Sequence, residues 1–390
     1  MAGITNLPQE IIEVITDFLN RRDRTRLAST SHSLYKSLAA HLWRTIIMES
    51  DLPHYYIQHP RKDLRYITPV KPIIAASRLQ QYAPLVHILN FRGPFRPEYY
   101  SVKYPRLHTL LFHYDVTYHA PCDKKDDCDS KLDAVMRAEE HTNSARFIRL
   151  NPTIKDLQVI VASPQLPADF WNAISTTLIN PTRLQVRGLR QTKGDTLDAL
   201  WKACDLFEEI DIQDTEYMRF TPVLAELSFS RLKRVPLGIS RLFGFDTRRQ
   251  LAWLRRCPNL IKIHWKFATY ESPMNEFATS LQQKMWPGLE DLALDWLSEE
   301  DEDLARTFAN LPPLRRFQLR SAKFGPLTFE ALRKRVFNSV RVLGMTRISY
   351  FTSQMVLGLL EGCVHLEELR TFYTNADDID MEARPWVCLG

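Results

Sequence analysis

Residues 260–265 read LIKIHW, residues 289–294 LEDLAL and residues 314–319 LRRFQL, and the fold turns on what these stretches share. Each is an apolar residue, two residues, a second apolar residue, one residue, and a third apolar residue. The spacing recurs as Val86/Leu89/Phe91, Leu107/Leu110/Phe112, Ile154/Leu157/Val159, Phe207/Ile210/Ile212, Leu232/Val235/Leu237, Val340/Leu343/Met345 and Leu366/Leu369/Thr371, with Leu184/Val186 a degenerate copy. From Leu157 to Leu369 the middle residues follow one another at steps of 25 to 29 residues. Alternation over so short a run fits a strand with one buried face.

The segments between these strands read as helices. Leu251 and Leu254 follow Thr247, Phe277 and Leu281 follow Ser272-Pro273, Leu332 and Val336 follow Pro326, and Val356, Leu359 and Leu360 follow Thr352. Turns such as Cys257-Pro258-Asn259 and Leu311-Pro312-Pro313 end them. A helix and a strand in every period of about 20 to 29 residues, around L-x-x-L-x-L, resembles the leucine-rich repeat. The resemblance runs from Val86 to Phe372, although no regular Asn follows the strands. It implies an α/β solenoid, with parallel strands on a concave face and helices on the convex one. The repeat domain is expected over residues 85–374, behind a connector at 47–84 and ahead of a tail at 375–390.

One step is long. Leu110 and Leu157 are 47 residues apart, and the excess falls at about 119–146. Cys122 and Cys128, with His113 and His119 upstream, raise the question of zinc. Their separation and the lack of a second close pair do not fit structural zinc spacings, so a solvent-exposed loop is expected, with no metal and no cofactor. The acidic run Glu299 to Asp303 reads as a capped helix start, with Ser298 and Asp301 in capping-box positions.

At the other end, residues 7–46 read LPQEIIEVITDFLNRRDRTRLASTSHSLYKSLAAHLWRTI. Ile11, Ile12, Ile15, Phe18 and Leu19 fall on one helical stripe behind Pro8. Leu27 anchors a short second helix, and Ser31 can cap a third that carries Leu34, Leu38 and Leu42. About 40 residues bury too small a fraction of their surface to stand alone, so this trio needs a partner. Leu7-Pro8-x-Glu10-Ile11-Ile12, Ile15, Phe18-Leu19, Asp23, Leu27 and Leu42-Trp43-Arg44 together resemble an F-box. Arg24 stands where that family usually has an apolar residue, and Tyr35 where it has a tryptophan. The resemblance implies an F-box over residues 1–46 that binds the Skp-type adaptor of a cullin-RING ubiquitin ligase, through Leu7, Pro8, Ile11, Ile12, Ile15, Leu27, Leu34 and Trp43.

A repeat receptor of this kind would hold a protein substrate on its strand face. Side chains alternate along a strand, so the residues flanking each middle position face away from the core. They include Arg183 and Arg187, Glu209 and Asp211, Lys262, His264 and Lys266, Asp291 and Asp295, Arg316 and Arg320, and Arg370. The sign changes from repeat to repeat, a pattern that can select a partner of complementary charge.

Composition limits the alternatives. The 390 residues carry 51 Lys and Arg against 46 Asp and Glu, a formal charge of +5, which by itself points to no nucleic-acid partner. No apolar run approaches a membrane span, and Met1 to Asn6 has no signal-peptide character. Six scattered cysteines suit a reducing compartment, cytoplasmic or nuclear. The common nucleophile, zinc-protease and phosphate-loop motifs are missing, so no catalytic residue is expected. The expected role is substrate receptor of an SCF-type ligase. Two alternatives remain open: an adaptor-bound scaffold acting outside ubiquitination, and a repeat-domain ligand binder without adaptor.

Overall fold

The structure is a computed structural model that describes residues 7–49, 75–92, 95, 97–114, 139, 141–161, 166–189, 192–213, 221–235, 246–267, 273–295, 297 and 299–372. The expected Cys122/Cys128 loop, the middle of the connector and the tail at 375–390 lie outside them.

Three helices come first: α1 (Gln9–Phe18), α2 (Arg21–Ser29) and α3 (His32–Trp43). Ser31 caps α3 by accepting from Leu34 N at 3.2 Å, and Asn20 caps α2 through Asp23 N at 3.0 Å. Ile12, Ala28, Leu34 and Leu38 form the core of the trio, with Leu27, Tyr35 and Leu42 packed around it.

The trio was expected to extend to Ile46, but α3 stops at Trp43 and Thr45–Glu49 is a strand, β1. Only Arg44 lies between them, and its carbonyl already accepts from His87 N and Ile88 N at 2.9 and 3.0 Å. The reason is the run Thr45-Ile46-Ile47-Met48, rich in β-branched residues and buried from Ile46 to Met48. The sheet therefore begins inside the stretch that resembles an F-box, and the connector begins as strand.

The first sheet is β1, β2 (Ile88–Arg92), β3 (Thr109–Tyr114), β4 (Asp156–Val161), β5 (Arg183–Arg187) and β6 (Glu209–Gln213), in sequence order. The second is β7 (Lys262–Lys266), β8 (Asp291–Asp295), β9 (Arg316–Lys323), β10 (Val342–Ser349) and β11 (Glu368–Phe372). Its pairs are parallel, as are those from β1 to β5. The register is the one the repeat dictates. Ile46, Leu89, Leu110, Leu157 and Leu184 align across one sheet, and Ile263, Leu292, Phe317, Leu343 and Leu369 across the other. The long step between Leu110 and Leu157 leaves their pairing intact. At the repeat of Val235 the strand shrinks to bridges from Arg234 to Glu209 and Lys262, and Pro236 has no N–H to extend a ladder.

Helices α4 (Ala76–Tyr82), α5 (Ala168–Thr177), α6 (Gly194–Cys204), α7 (Pro222–Glu226), α8 (Thr247–Leu254), α9 (Met274–Gln282), α10 (Asp301–Phe308), α11 (Pro326–Arg335) and α12 (Ser353–Gly362) alternate with the strands. They cover the apolar face of their sheets. Phe170 of α5 meets Phe112 of β3, and Phe308 of α10 meets Phe317 of β9, ring edge to face, at 6.0 and 5.4 Å. The result is an α/β stack of leucine-rich-repeat-like units. It divides into two compact bodies, residues 1–207 with 212–216 and residues 208–211 with 217–390.

The expected capping box at Ser298 and Asp301 falls partly outside the described residues, since Ser298 is not among them. Glu300 is the N-cap of α10 and makes no side-chain cap bond. The Asp301 carboxylate instead accepts from Gly325 N, Leu327 N and Thr328 N, each at 2.9 Å, at the start of α11. Three amide donors at a helix start hold a carboxylate better than one in its own turn.

Candidate functional site

Two surfaces stand out, one in each body. On α1, Ile11, Val14 and Phe18 are exposed by 46%, 56% and 86%, and Leu7, ahead of the helix, by 37%. The spacing of three and four residues places the three helical side chains on one side of α1. Ile12 and Thr16 occupy the opposite side, and Thr16 Oγ1 donates to Ile12 C=O at 2.6 Å. Three apolar side chains thus line an outer face, with Leu7 exposed ahead of them, while the trio's core is already filled.

This divides the expected adaptor-binding residues. Leu7, Pro8 and Ile11 are exposed, and Ile15 is half-buried. Ile12 and Leu34 are buried at 5% and 2% exposure, so they hold the trio together and cannot also meet a partner. Leu27 packs on the same core. Trp43 points inward, stacked on Tyr82 of α4 with ring centroids 4.0 Å apart and planes 5° from parallel. Its Nε1 donates to Tyr35 Oη at 3.3 Å, and Tyr35 and Tyr82 share a hydroxyl hydrogen bond at 3.0 Å. The Tyr82 pKa is raised by that bond first and by burial second. Val14 and Phe18 also stand exposed on this face, although neither is among the residues expected to bind the adaptor. The 11, 14, 18 spacing is the sequence signal for this face, and reading all of the isoleucines as one stripe obscures it.

Both departures from the F-box pattern have local partners. Arg24 Nε donates to Thr16 C=O at 2.8 Å, satisfying a carbonyl at the end of α1. Tyr35 supplies the hydroxyl that receives Trp43.

The second surface is the strand face of the second body. Glu209, Arg234, Lys262, Asp291 and Arg316 stand in one row, and Glu290, Arg315, Arg341 and Glu367 stand in the row before it. Together they line a groove of about 510 Å³. Most of its charges are paired: Arg234 with Glu209 at 3.9 Å, Lys262 with Asp291 at 3.2 Å, Arg315 with Glu290 at 3.6 Å, Arg341 with Glu367 at 2.7 Å. Arg316 makes no ion pair among the described residues. Its strand neighbours in register are Asp291, already held by Lys262, and the neutral Val342. Arg320 lies four residues further along the same strand and face, also exposed.

The remaining expected substrate residues are dispersed. His264 lies 3.6 Å from Asp295, Lys266 is exposed, and Arg370 holds Glu368 at 2.5 Å. That hydrogen bond, ahead of the opposing effect of burial, keeps the Glu368 carboxyl below its usual range. Asp211 is only 5% exposed and therefore is not offered to a ligand. Arg183 and Arg187 lie half-buried on β5 in the first body, Arg183 beside Asp156. The sequence foresaw alternating sign but not how far neighbouring strands neutralise each other.

Among the described residues no group of three His, Cys, Asp or Glu side chains is placed to hold a metal, and no helix is long and apolar enough to cross a membrane. Cys204 and Cys363 are free, buried thiols whose pKa is pushed up by burial, the latter to about 11.

No family model and no curated protein matches the chain. Among solved structures, it is similar to a chain of the Rad7 and Elc1 complex from yeast, at 17% identity over 59% of this chain and 65% of that one, with a TM-score of 0.40. It is also similar to the leucine-rich repeat-containing protein LegL7 from Legionella pneumophila, at 14% identity over 63% of this chain and 79% of that one, with a TM-score of 0.37. The chain spans under two thirds of the first of these. Likenesses this distant say nothing of partners or activity.

Proposed function

We propose that this protein is the substrate-recognition subunit of an SCF-type ubiquitin ligase. In this reading the outer face of α1 binds a Skp-type adaptor, through it a cullin-RING assembly, and the groove of the second body holds a protein substrate. The observation that carries it is the stripe Ile11, Val14 and Phe18, with Leu7 ahead of it, exposed on a helical trio whose sequence resembles an F-box. Covering those four side chains is worth roughly 1.5 kcal/mol each, about 6 kcal/mol before association costs of similar size. One truncation should therefore decide binding. The subunit supplies no chemistry of its own and acts by raising the local concentration of substrate beside a charged conjugating enzyme. The thiols Cys204, Cys257 and Cys363, none of them in a disulfide, suit a cytoplasmic or nuclear site of action.

The test is affinity purification of the full chain against its Ile11→Glu/Phe18→Glu variant. Both side chains are exposed, so folding is retained. The reading requires adaptor and cullin to co-purify with the parent and to be lost from the variant. Adaptor without cullin would favour a scaffold outside ubiquitination. Equal recovery of adaptor with both chains, or with neither, would end the reading.

A further inference from the structure

The residue just ahead of each strand forms a continuous row, because its carbonyl accepts two amides from the next repeat. Arg44 C=O accepts from His87 N and Ile88 N, His87 C=O from His108 N and Thr109 N, and His108 C=O from Lys155 N and Asp156 N. In the second body the same position is held by Glu208, Lys233, Ile261, Glu290, Arg315, Arg341 and Glu367. There the charges cancel, with Lys233 on Glu208 at 2.9 Å, Arg315 on Glu290 at 3.6 Å and Arg341 on Glu367 at 2.7 Å.

In the first body no two neighbouring rungs carry opposite charge. Arg44, His87, His108 and Lys155 follow one another, and none makes an ion pair among the described residues. The rings of His87 and His108 meet edge to face at 5.4 Å. Arg106, in the turn before β3, adds a fifth nitrogenous side chain facing His87. Asp156 acts on His108, and its charge is shared with Arg183 of the neighbouring strand and with a Gln158 hydrogen bond at 3.5 Å. A row of basic side chains only on one body, where the other pairs every charged rung, is a surface waiting for an anion.

We propose that Arg44, His87, His108 and Lys155 form a docking strip for an acidic polypeptide segment, gripped more tightly when the two histidines are protonated. Neighbouring rungs lie about 4.8 Å apart, so four rungs span roughly 14 Å. Three acidic residues at alternate positions of an extended segment cover about the same length, at roughly 3.3 Å per residue. A single-stranded nucleic acid would also want aromatic stacking platforms. The large exposed rings among the described residues, Phe18 and Tyr350, lie on other elements.

The electrostatics set the direction of the pH effect. Burial first, then His108, Arg44 and Arg106, hold the His87 pKa below its ordinary value. A bound carboxylate opposes those three charges and raises it again. Binding therefore takes up protons, and affinity rises as pH falls through the histidine range.

The test uses the full chain and a fluorescein-labelled octa-glutamate, followed by anisotropy at pH 7.5 and pH 6.0 in low salt. The glutamates stay ionised at both, and octa-glutamine is the control. Binding is expected to tighten roughly fivefold or more between the two pH values, as one to two protons are taken up. His87→Gln/His108→Gln removes that dependence, and Lys155→Glu weakens binding at both pH values. Lys233→Gln, in the balanced row and outside the groove, leaves it unchanged. The proposal is overturned if the histidine variant keeps the pH dependence, if octa-glutamine binds as well, or if an oligothymidylate of equal charge binds more tightly. None of these variants touches α1, so loss of adaptor capture and loss of the strip are read independently.

Discussion

Asp301 caps a helix to which it does not belong. Its carboxylate accepts from Thr328 N at 2.9 Å, and Thr328 Oγ1 donates back to Asp301 C=O at 3.0 Å. Burial raises the Asp301 pKa, but the hydrogen bonds from Thr328, Leu327 and Gly325 outweigh it and leave the carboxyl below its usual range. Because the folded pKa is depressed, this stabilisation is fully present above the unfolded value of about 3.9 and is lost as pH falls through the folded one. Asp301→Ala is expected to cost about 1 kcal/mol at neutral pH and nothing once the carboxyl is protonated. Hydrogen exchange at Leu327 and Thr328 measures it. Equal protection in both chains would refute the cap. Gly325→Ala should behave alike, since a Cβ there collides with the same carboxylate.

Two glycines with positive φ separate backbone strain from collision. Gly188 has φ +78°, and a side chain there would run into the Val161 carbonyl; Gly194 has φ +55° with open space around it. Gly194→Ala should destabilise by about 1 kcal/mol, from backbone strain alone. Gly188→Ala should cost about 3 kcal/mol or more. Thermal unfolding of the two variants, monitored by circular dichroism, checks the order, and similar losses would contradict it.

The Trp43 stack on Tyr82 ties the helical trio to the first repeats. Trp43→Ala should lower the stability of the first body by about 2 kcal/mol, less than a fully buried tryptophan, whereas Tyr35→Phe removes only two hydroxyl hydrogen bonds. Tyr35→Phe should also bring the Tyr82 pKa back toward its ordinary value, because their hydrogen bond is the largest cause of the upward shift. Ultraviolet titration of each chain against a Tyr82→Phe reference isolates that phenol. An unchanged titration would mean that the bond is not formed.

Neighbouring apolar residues of the trio should respond differently to truncation. Leu34→Ala empties a site 2% exposed and should destabilise by about 2 to 4 kcal/mol. Ile11→Ala removes a side chain 46% exposed and should change stability by less than about 1 kcal/mol. Urea unfolding of both variants distinguishes core from outer face, and equal effects would dissolve the distinction.

The repeat was the most legible part of the sequence. Its middle residues predict the pairing of Leu110 with Leu157 across a long insertion, because a one-residue slip would turn every apolar side chain to the wrong face. Strand β1 was hidden because Trp43, Ile46 and Met48, which carry the repeat spacing, overlap the end of a helical resemblance. Ile12 and Leu34 were misread as contact residues for a geometrical reason. Adjacent isoleucines on a ten-residue helix do not announce which of them faces its neighbours. The charge rows were legible in sign alone, since pairing depends on which strands become neighbours.

With Arg44 alone between α3 and β1, the amino-terminal helices have no leash. Whatever grips them sets the heading of the first sheet directly, like a handle welded to a blade. Glycines inserted at that joint should loosen the helices from the sheet, and faster hydrogen exchange at Ile88, whose amide donates to Arg44 C=O, would report it.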